Sequence, residues 1–265
     1  MNARLAARDL LLVLTVVTIW GVAFVPIRWA LDVVPPFALA GLRFLFAAVP
    51  AIFFIRKPNV SWPVLTAYGF AIGVFQFGFL FLGMQLGMPA GLSSLVIQVQ
   101  VFFTIGLAAW WLHDRLTRHA LIGGAIAAGG IVLLATYKVS AGATSTLAGF
   151  LLVIAAALAW AAGNLIAKRA AGKAHVDMLG MVVWASVAAP LPLFAASYVA
   201  EGGAAVLPTI VHMGWLPWAC VLFMSYLPTL FCLANWNRLL HRYPTAVIAP
   251  FALLIPVSGL IGGAA

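Results

Sequence analysis

The sequence predicts an all-α polytopic membrane protein built from two inverted five-helix repeats, and three observations carry that prediction. Apolar residues make up 65% of the chain and charged residues only 7%, whereas soluble domains run near 25% charged. The apolar residues gather in nine segments, each near the ~20 residues that cross a bilayer as a helix. Parts of the first half also return in the second half at fixed offsets.

The nine spans are roughly 10–30, 36–55, 63–86, 90–112, 120–137, 147–168, 178–199, 214–237 and 244–265. Asp32 and Pro35-Pro36 end the first, Arg56-Lys57-Pro58-Asn59 the second, and His113-Asp114-Arg115 the fourth. A Gly/Ser/Thr loop over Ser140 to Ser145 precedes the sixth, and the basic loop Lys168-Arg169 to Lys173 follows it. Glu201-Gly202-Gly203 and the run Arg238 to Pro244 separate the last three. The link Gly87-Met88-Pro89 between spans three and four is too short for the helices to diverge, so they form an antiparallel hairpin. Pro89 suits the first turn of the following helix, where its missing N–H costs little. The chain stops inside an apolar run, Gly262-Gly263-Ala264-Ala265, and a tenth span is expected.

Lys and Arg set the topology. With a cytoplasmic N-terminus, one side holds Arg4, Arg8, Arg56, Lys57, Arg115, Arg118, Lys168, Arg169, Lys173, Arg238 and Arg242; only Arg28, Arg43 and Lys138 fall toward the other. Cytoplasmic loops carry that excess. The net charge of +9 is therefore topological: the cations are spread singly and form no nucleic-acid patch. Cys220 and Cys232 lie in one span, ~18 Å apart at helical rise, so they cannot pair there. No metal cluster or cofactor motif appears.

The repeat is visible at two offsets. Val13 to Arg28 (VLTVVTIWGVAFVPIR) aligns with Val153 to Lys168 (VIAAALAWAAGNLIAK), which sets Trp20 on Trp160, Phe24 on Asn164 and Arg28 on Lys168. Shifted by 155 instead, Pro89-Ala90-Gly91-Leu92 meets Pro244-Thr245-Ala246-Val247. Five spans per repeat is an odd number, so the second copy inserts upside down. Secondary transporters recur with this arrangement, and their site lies at the repeat interface near the midplane. The expected units are residues 1–139 and 140–265.

The chain resembles the drug/metabolite transporter superfamily, EamA type, and within it the bacterial amino-acid metabolite exporters acting on O-acetylserine and cysteine. The resemblance rests on Trp20-Gly21 with Phe24-Val25, on Pro35-Pro36 with Ala40-Gly41-Leu42-Arg43-Phe44, and on Gly87 to Gln100 with Phe102-Phe103-Thr104. Further matches are Arg115-Leu116, Trp160 with Gly163-Asn164, Arg242-Tyr243, Ala249-Pro250, and Pro256-Val257 with Gly259-Leu260. It covers essentially the whole chain and implies ten helices and export of small metabolites across the bacterial inner membrane. Asp114 stands where the family often has Glu.

Candidate substrate contacts are the polar and aromatic residues at mid-span. Trp20 and Trp160 sit away from the interface where tryptophan is usually placed; substrate wall and packing anchor are both open to them. Gln76, Ser94, Gln98, Asn164, Tyr226 and Asn235 offer donors and acceptors without fixed charge, which suits a zwitterion. Interhelical hydrogen bonding is the alternative for each. Phe24, Phe79 and Trp184 complete the expected lining. Arg43 lies about two turns, roughly 10 Å, inside its span. Pairing with Asp32 is the favoured reading, and a substrate carboxylate the bolder one.

Asp9, Asp32, Asp114, Asp177 and Glu201 all fall at or outside span ends, so the mid-membrane carboxylate of proton-coupled pumps is missing from these residues. Facilitated export down the substrate's own gradient is expected, by a monomer that needs no cofactor. A drug or other metabolite carrier, possibly proton-coupled, is the alternative. An intramembrane hydrolase built on Ser93-Ser94 fails because no histidine lies at comparable depth, and a non-transporting scaffold has no use for so many mid-span amides.

Overall fold

The structure, a computed structural model, describes residues 5–112, 144–171 and 176–263, with positions 122 and 129 between them. The expected fifth span, 120–137, lies outside the described residues apart from those two positions. The rest is helical, with no strand among the described residues. In chain order the helices are α1 (Ala7–Leu31), α2 (Pro36–Phe53), α3 (Trp62–Gln85), α4 (Ala90–Trp111), α5 (Leu147–Ala170), α6 (Met178–Ala200), α7 (Gly203–His212), α8 (Trp215–Arg242) and α9 (Thr245–Gly259). Among the described residues, all but α7 and α9 are long and apolar enough to cross a membrane, and α5 is the span counted sixth in the sequence.

Local chemistry sets the ends. Pro36, Pro63 and Pro190 stand in first turns, where a missing N–H leaves no bond unmade. Gly87, at φ 97°, closes α3 in a Schellman motif: the Met88 N–H donates to the Gly83 carbonyl at 3.1 Å and the Gly87 N–H to the Met84 carbonyl at 3.2 Å. That left-handed position favours glycine. The Glu201 carboxylate accepts from the Phe37 and Ala38 N–H groups at 2.6 and 3.2 Å, so the α6–α7 turn caps the start of α2. Asp177 caps α6 by accepting from the Leu179 N–H at 3.1 Å.

Several helices break in mid-bundle. In α1 the helix is interrupted at Ala23, beside the Val22 carbonyl that Pro26 cannot bond. A π-helical segment occupies Phe70–Phe77 in α3, and another occupies Ser225–Leu233 in α8 around Pro228. Short 3₁₀ segments interrupt α4 at Ile97–Val99 and α9 at Ala249–Leu254. The two π segments begin 155 residues apart, the offset that relates the two sequence hairpins.

Small residues let the backbones approach, as membrane bundles require in place of a hydrophobic drive. A Cβ on Gly21 of α1 would stand 2.5 Å from the Ile255 carbonyl of α9, and one on Gly149 of α5 would stand 2.7 Å from the Gly83 carbonyl of α3. Gly69 and Gly73 of α3 meet Ala185 and Ala189 of α6 in the same way. Thus α1 packs on α9, α5 on α3 and α4, and α2 on α6.

One end of the bundle is basic. There the buried Asp9 pairs with Arg242 at 3.0 Å and accepts from the Tyr243 hydroxyl at 2.6 Å. Lys168 donates to Thr245 Oγ1 at 2.6 Å, and the Arg169 guanidinium lies 5.1 Å from the Trp111 ring centre. Glu201 and the Arg28–Asp32 pair, 2.9 Å apart, lie at the opposite end.

Candidate functional site

The helix breaks converge on one central cavity. Its walls come from α1 (Trp20, Phe24), α2 (Arg43), α3 (Gln76, Phe77), α4 (Gln98), α5 (Trp160) and α8 (Pro228), with Ile255 of α9 closing it. Trp20, Arg43, Gln76, Gln98, Trp160 and Pro228 each lie within three residues of the midpoint of their helix, so the cavity is central along the bundle. Its volume is about 30 Å3, room for very little water and too small for an amino acid.

The proline in α8 organises one wall. Lacking an N–H, Pro228 leaves the Met224 carbonyl without its usual i+4 donor, and the Thr229 hydroxyl donates to that carbonyl at 2.8 Å. Thr229 Oγ1 in turn accepts from Arg43 Nε at 2.7 Å. The Arg43 guanidinium stacks on the Phe77 ring, 3.7 Å from its centre. Both π segments therefore hold Arg43, one through Thr229 and the other through Phe77. Asp32 is not its partner, contrary to the sequence-based expectation: that carboxylate sits at the bundle end and pairs with Arg28 one helical turn away.

Trp20 donates its indole N–H to the Pro228 carbonyl at 3.0 Å. Its ring meets Trp160 edge to face, with centres 5.2 Å apart at 88°, and Trp236 at 5.2 Å and 62°. The Trp160 N–H and the side-chain oxygens of Gln76 and Gln98 are buried with no protein partner. Each such group costs roughly 1–3 kcal/mol when nothing satisfies it. Gln98 is oriented by its own amide nitrogen, which donates to the Ser94 carbonyl at 2.9 Å. The cavity wall thus offers two acceptors, one indole donor and a guanidinium, framed by aromatic rings.

The EamA-like transporter family matches residues 8–136 of the chain. Over 261 residues the chain is 38% identical to a probable amino-acid metabolite efflux pump of Escherichia coli, covering 98% of this chain and 87% of that protein. A Salmonella typhimurium protein of the same description matches with the same identity and coverage. The chain belongs to the EamA-like transporter family. A solved crystal structure shares the fold at a TM-score of 0.68 and 22% identity, over 96% of this chain and 88% of its own. This EamA protein is a multi-pass membrane transporter and not an enzyme.

Of the residues singled out in the sequence, Trp20, Phe24, Gln76, Gln98 and Trp160 come together on the cavity wall. The others stand elsewhere. Ser94 is buried but donates to the Gly91 carbonyl at 2.7 Å in its own helix. Asn164 lies one turn past Trp160 in a polar knot: its nitrogen donates to Gln100 Oε1 and Thr104 Oγ1 at 3.2 Å each, and its oxygen accepts from the Trp236 N–H at 3.1 Å. Phe79 stacks with Phe75 on the outer side of α3. Trp184 donates to the Ile55 carbonyl at 3.0 Å near the basic end. Tyr226 and Asn235 line a separate open groove of about 980 Å3 together with Arg238 and Arg242.

Sequence reasoning passed over Phe77, Thr229 and Trp236. Phe77 and Thr229 belong to π segments, where the face that points inward departs from the regular helical count. Gln100 and Thr104 carried a readable signal, since four-residue spacing puts them on one face.

Proposed function

We propose that this EamA transporter exports amino acids or amino-acid derivatives across the bacterial inner membrane. It works as a monomer by alternating access between two inverted repeats, residues 1–139 and 140–265, with its N-terminus in the cytoplasm. Export runs down the substrate's own gradient. The observation that carries this reading is the central cavity, whose wall Gln76, Gln98 and Trp160, each with an unpartnered polar group, share with Arg43. Such a wall pairs with both ends of a zwitterion, and the relatives named as amino-acid metabolite efflux pumps support the same substrate class.

Matching breaks support the two-repeat organisation. The π segments of α3 and α8, and the 3₁₀ segments of α4 and α9, stand at related positions. Packing of α1 on α9 mirrors packing of α5 on α4. Non-α segments at a central cavity supply places where helices bend, and rocking of one repeat against the other opens each side in turn. Gathering of the cationic loops at one end favours a cytoplasmic basic end.

Counterflow in proteoliposomes tests this reading. Vesicles loaded with unlabelled leucine, phenylalanine, threonine, cysteine or O-acetylserine should accelerate uptake of the labelled compound. A protein that exchanges none of them but moves cationic drugs would overturn it.

A further inference from the structure

We infer that Arg43 receives the substrate's carboxylate, and that the side-chain oxygens of Gln76 and Gln98 receive its ammonium. This rests on the proposal that amino acids are the cargo, and assigns each end of that cargo to a partner.

Arg43 is 1% exposed at the middle of a membrane helix. A guanidinium at that depth requires a counter-charge or a wet cavity. Among the described residues every carboxylate is engaged elsewhere: Asp9 with Arg242 and Tyr243, Asp32 with Arg28, Asp177 with the start of α6, and Glu201 with the start of α2. What Arg43 does touch is neutral. Thr229 accepts from Nε and the Phe77 ring lies under the plane. Both contacts fix the orientation of the fork, and the bond from Nε to Thr229 is the one hydrogen bond that Arg43 makes among the described residues. A planar fork matches a carboxylate bidentately.

The complementary end is on the same cavity wall. Gln76 and Gln98 present oxygens with no protein donor, and the Gln98 amide is locked by its nitrogen's bond to the Ser94 carbonyl. An ammonium supplies donors for both, and the Trp20 and Trp160 rings beside them favour a cation further. A cationic drug without a carboxylate meets Arg43 with like charge, and a neutral solute leaves the guanidinium unbalanced.

The test compares three probes on the full chain in proteoliposomes: the amino acid of the counterflow panel that exchanges fastest, its α-carboxamide, and its des-amino carboxylate. With the wild type, the carboxamide should compete at least ~30-fold more weakly than the amino acid, the scale of losing one partner of a buried charge pair. The des-amino acid should still compete measurably. Arg43→Gln should weaken the amino acid by a similar factor while leaving the carboxamide nearly unchanged, and Arg43→Lys should fall between. Equal competition by amino acid and carboxamide on the wild type overturns the assignment without any variant, so poor folding of Arg43→Gln does not shelter it. Parallel loss of both probes in a folded Arg43→Gln overturns it as well. If no amino acid exchanges at all, the export proposal falls and takes this one with it.

Discussion

Trp20 and Trp160 meet edge to face, 5.2 Å between ring centres at 88°, each from the middle of a different long helix. They differ in one respect. The Trp20 N–H is spent on the Pro228 carbonyl, while the Trp160 N–H has no protein partner. The pair therefore divides its work: Trp20 ties α1 to the break in α8, and Trp160 keeps a donor on the cavity wall.

Trp160→Phe should separate ring from donor. The phenyl ring preserves most of the packing, so the thermal midpoint in detergent should move little while exchange slows several-fold. Trp160→Ala should cost about 3–5 kcal/mol of stability through the void it leaves. Exchange at the wild-type rate by Trp160→Phe would assign Trp160 to packing alone.

Asn164 calls for the opposite result. It is 2% exposed and bonds Gln100, Thr104 and Trp236 across three helices, away from the cavity wall. Asn164→Ala should destabilise the fold by roughly 1–3 kcal/mol for each buried group left unpaired. Affinity for the exchanged amino acid should stay unchanged in the protein that remains folded. A loss of affinity at full thermal stability would return Asn164 to the substrate.

Hydropathy and turn chemistry made the fold legible. Gly87 and Pro89 marked the α3–α4 turn, Pro36 opened α2, and the helices from α1 to α6 begin and end within a few residues of the expected bounds, whereas α8 does not. That helix runs on to Arg242 because its last turns alternate buried Trp236 and Leu239 with exposed Arg238 and His241, a pattern that reads as a loop on hydropathy alone. The short α7 helix, Gly203–His212, falls between two expected spans. At the site, Trp20, Gln76, Gln98 and Trp160, chosen for mid-span position, share the cavity wall. Phe79, Tyr226 and Asn235, chosen on the same ground, stand off it, because depth in the bilayer says nothing about which way a residue faces. Two π segments shift that facing in the helices that carry all three. The partner of Arg43 was equally out of reach, since Thr229 lies 186 residues away in sequence.

Asp9 ties the basic end together. Its carboxylate joins the first turn of α1 to Arg242 and Tyr243 at the α8–α9 turn, and it is 5% exposed. Asp9→Asn removes the charge and keeps the shape. With a reporter cysteine at Ile97 on the cavity wall and both native cysteines replaced by serine, Asp9→Asn should speed labelling by a reagent applied from the basic side. Labelling at the parent rate would show that this contact does not gate that end.

What faces the cavity sets an expectation about coupling. Its walls hold Arg43, two glutamines, aromatic rings and aliphatic side chains, with no carboxylate or histidine among the described residues. Glutamine does not ionise, so neither amide on this wall can exchange a proton with each cycle. Export should therefore follow the substrate's own gradient. Proteoliposomes with an imposed pH gradient and equal substrate on both sides should show no net accumulation, and a protonophore should change nothing. Uphill accumulation that collapses with the protonophore would sink this expectation and require a titrating group beyond the described residues. Flux that tracks only the substrate gradient, together with carboxylate discrimination that vanishes in Arg43→Gln, would leave Arg43 as a fixed charge that selects cargo and takes no part in powering its movement.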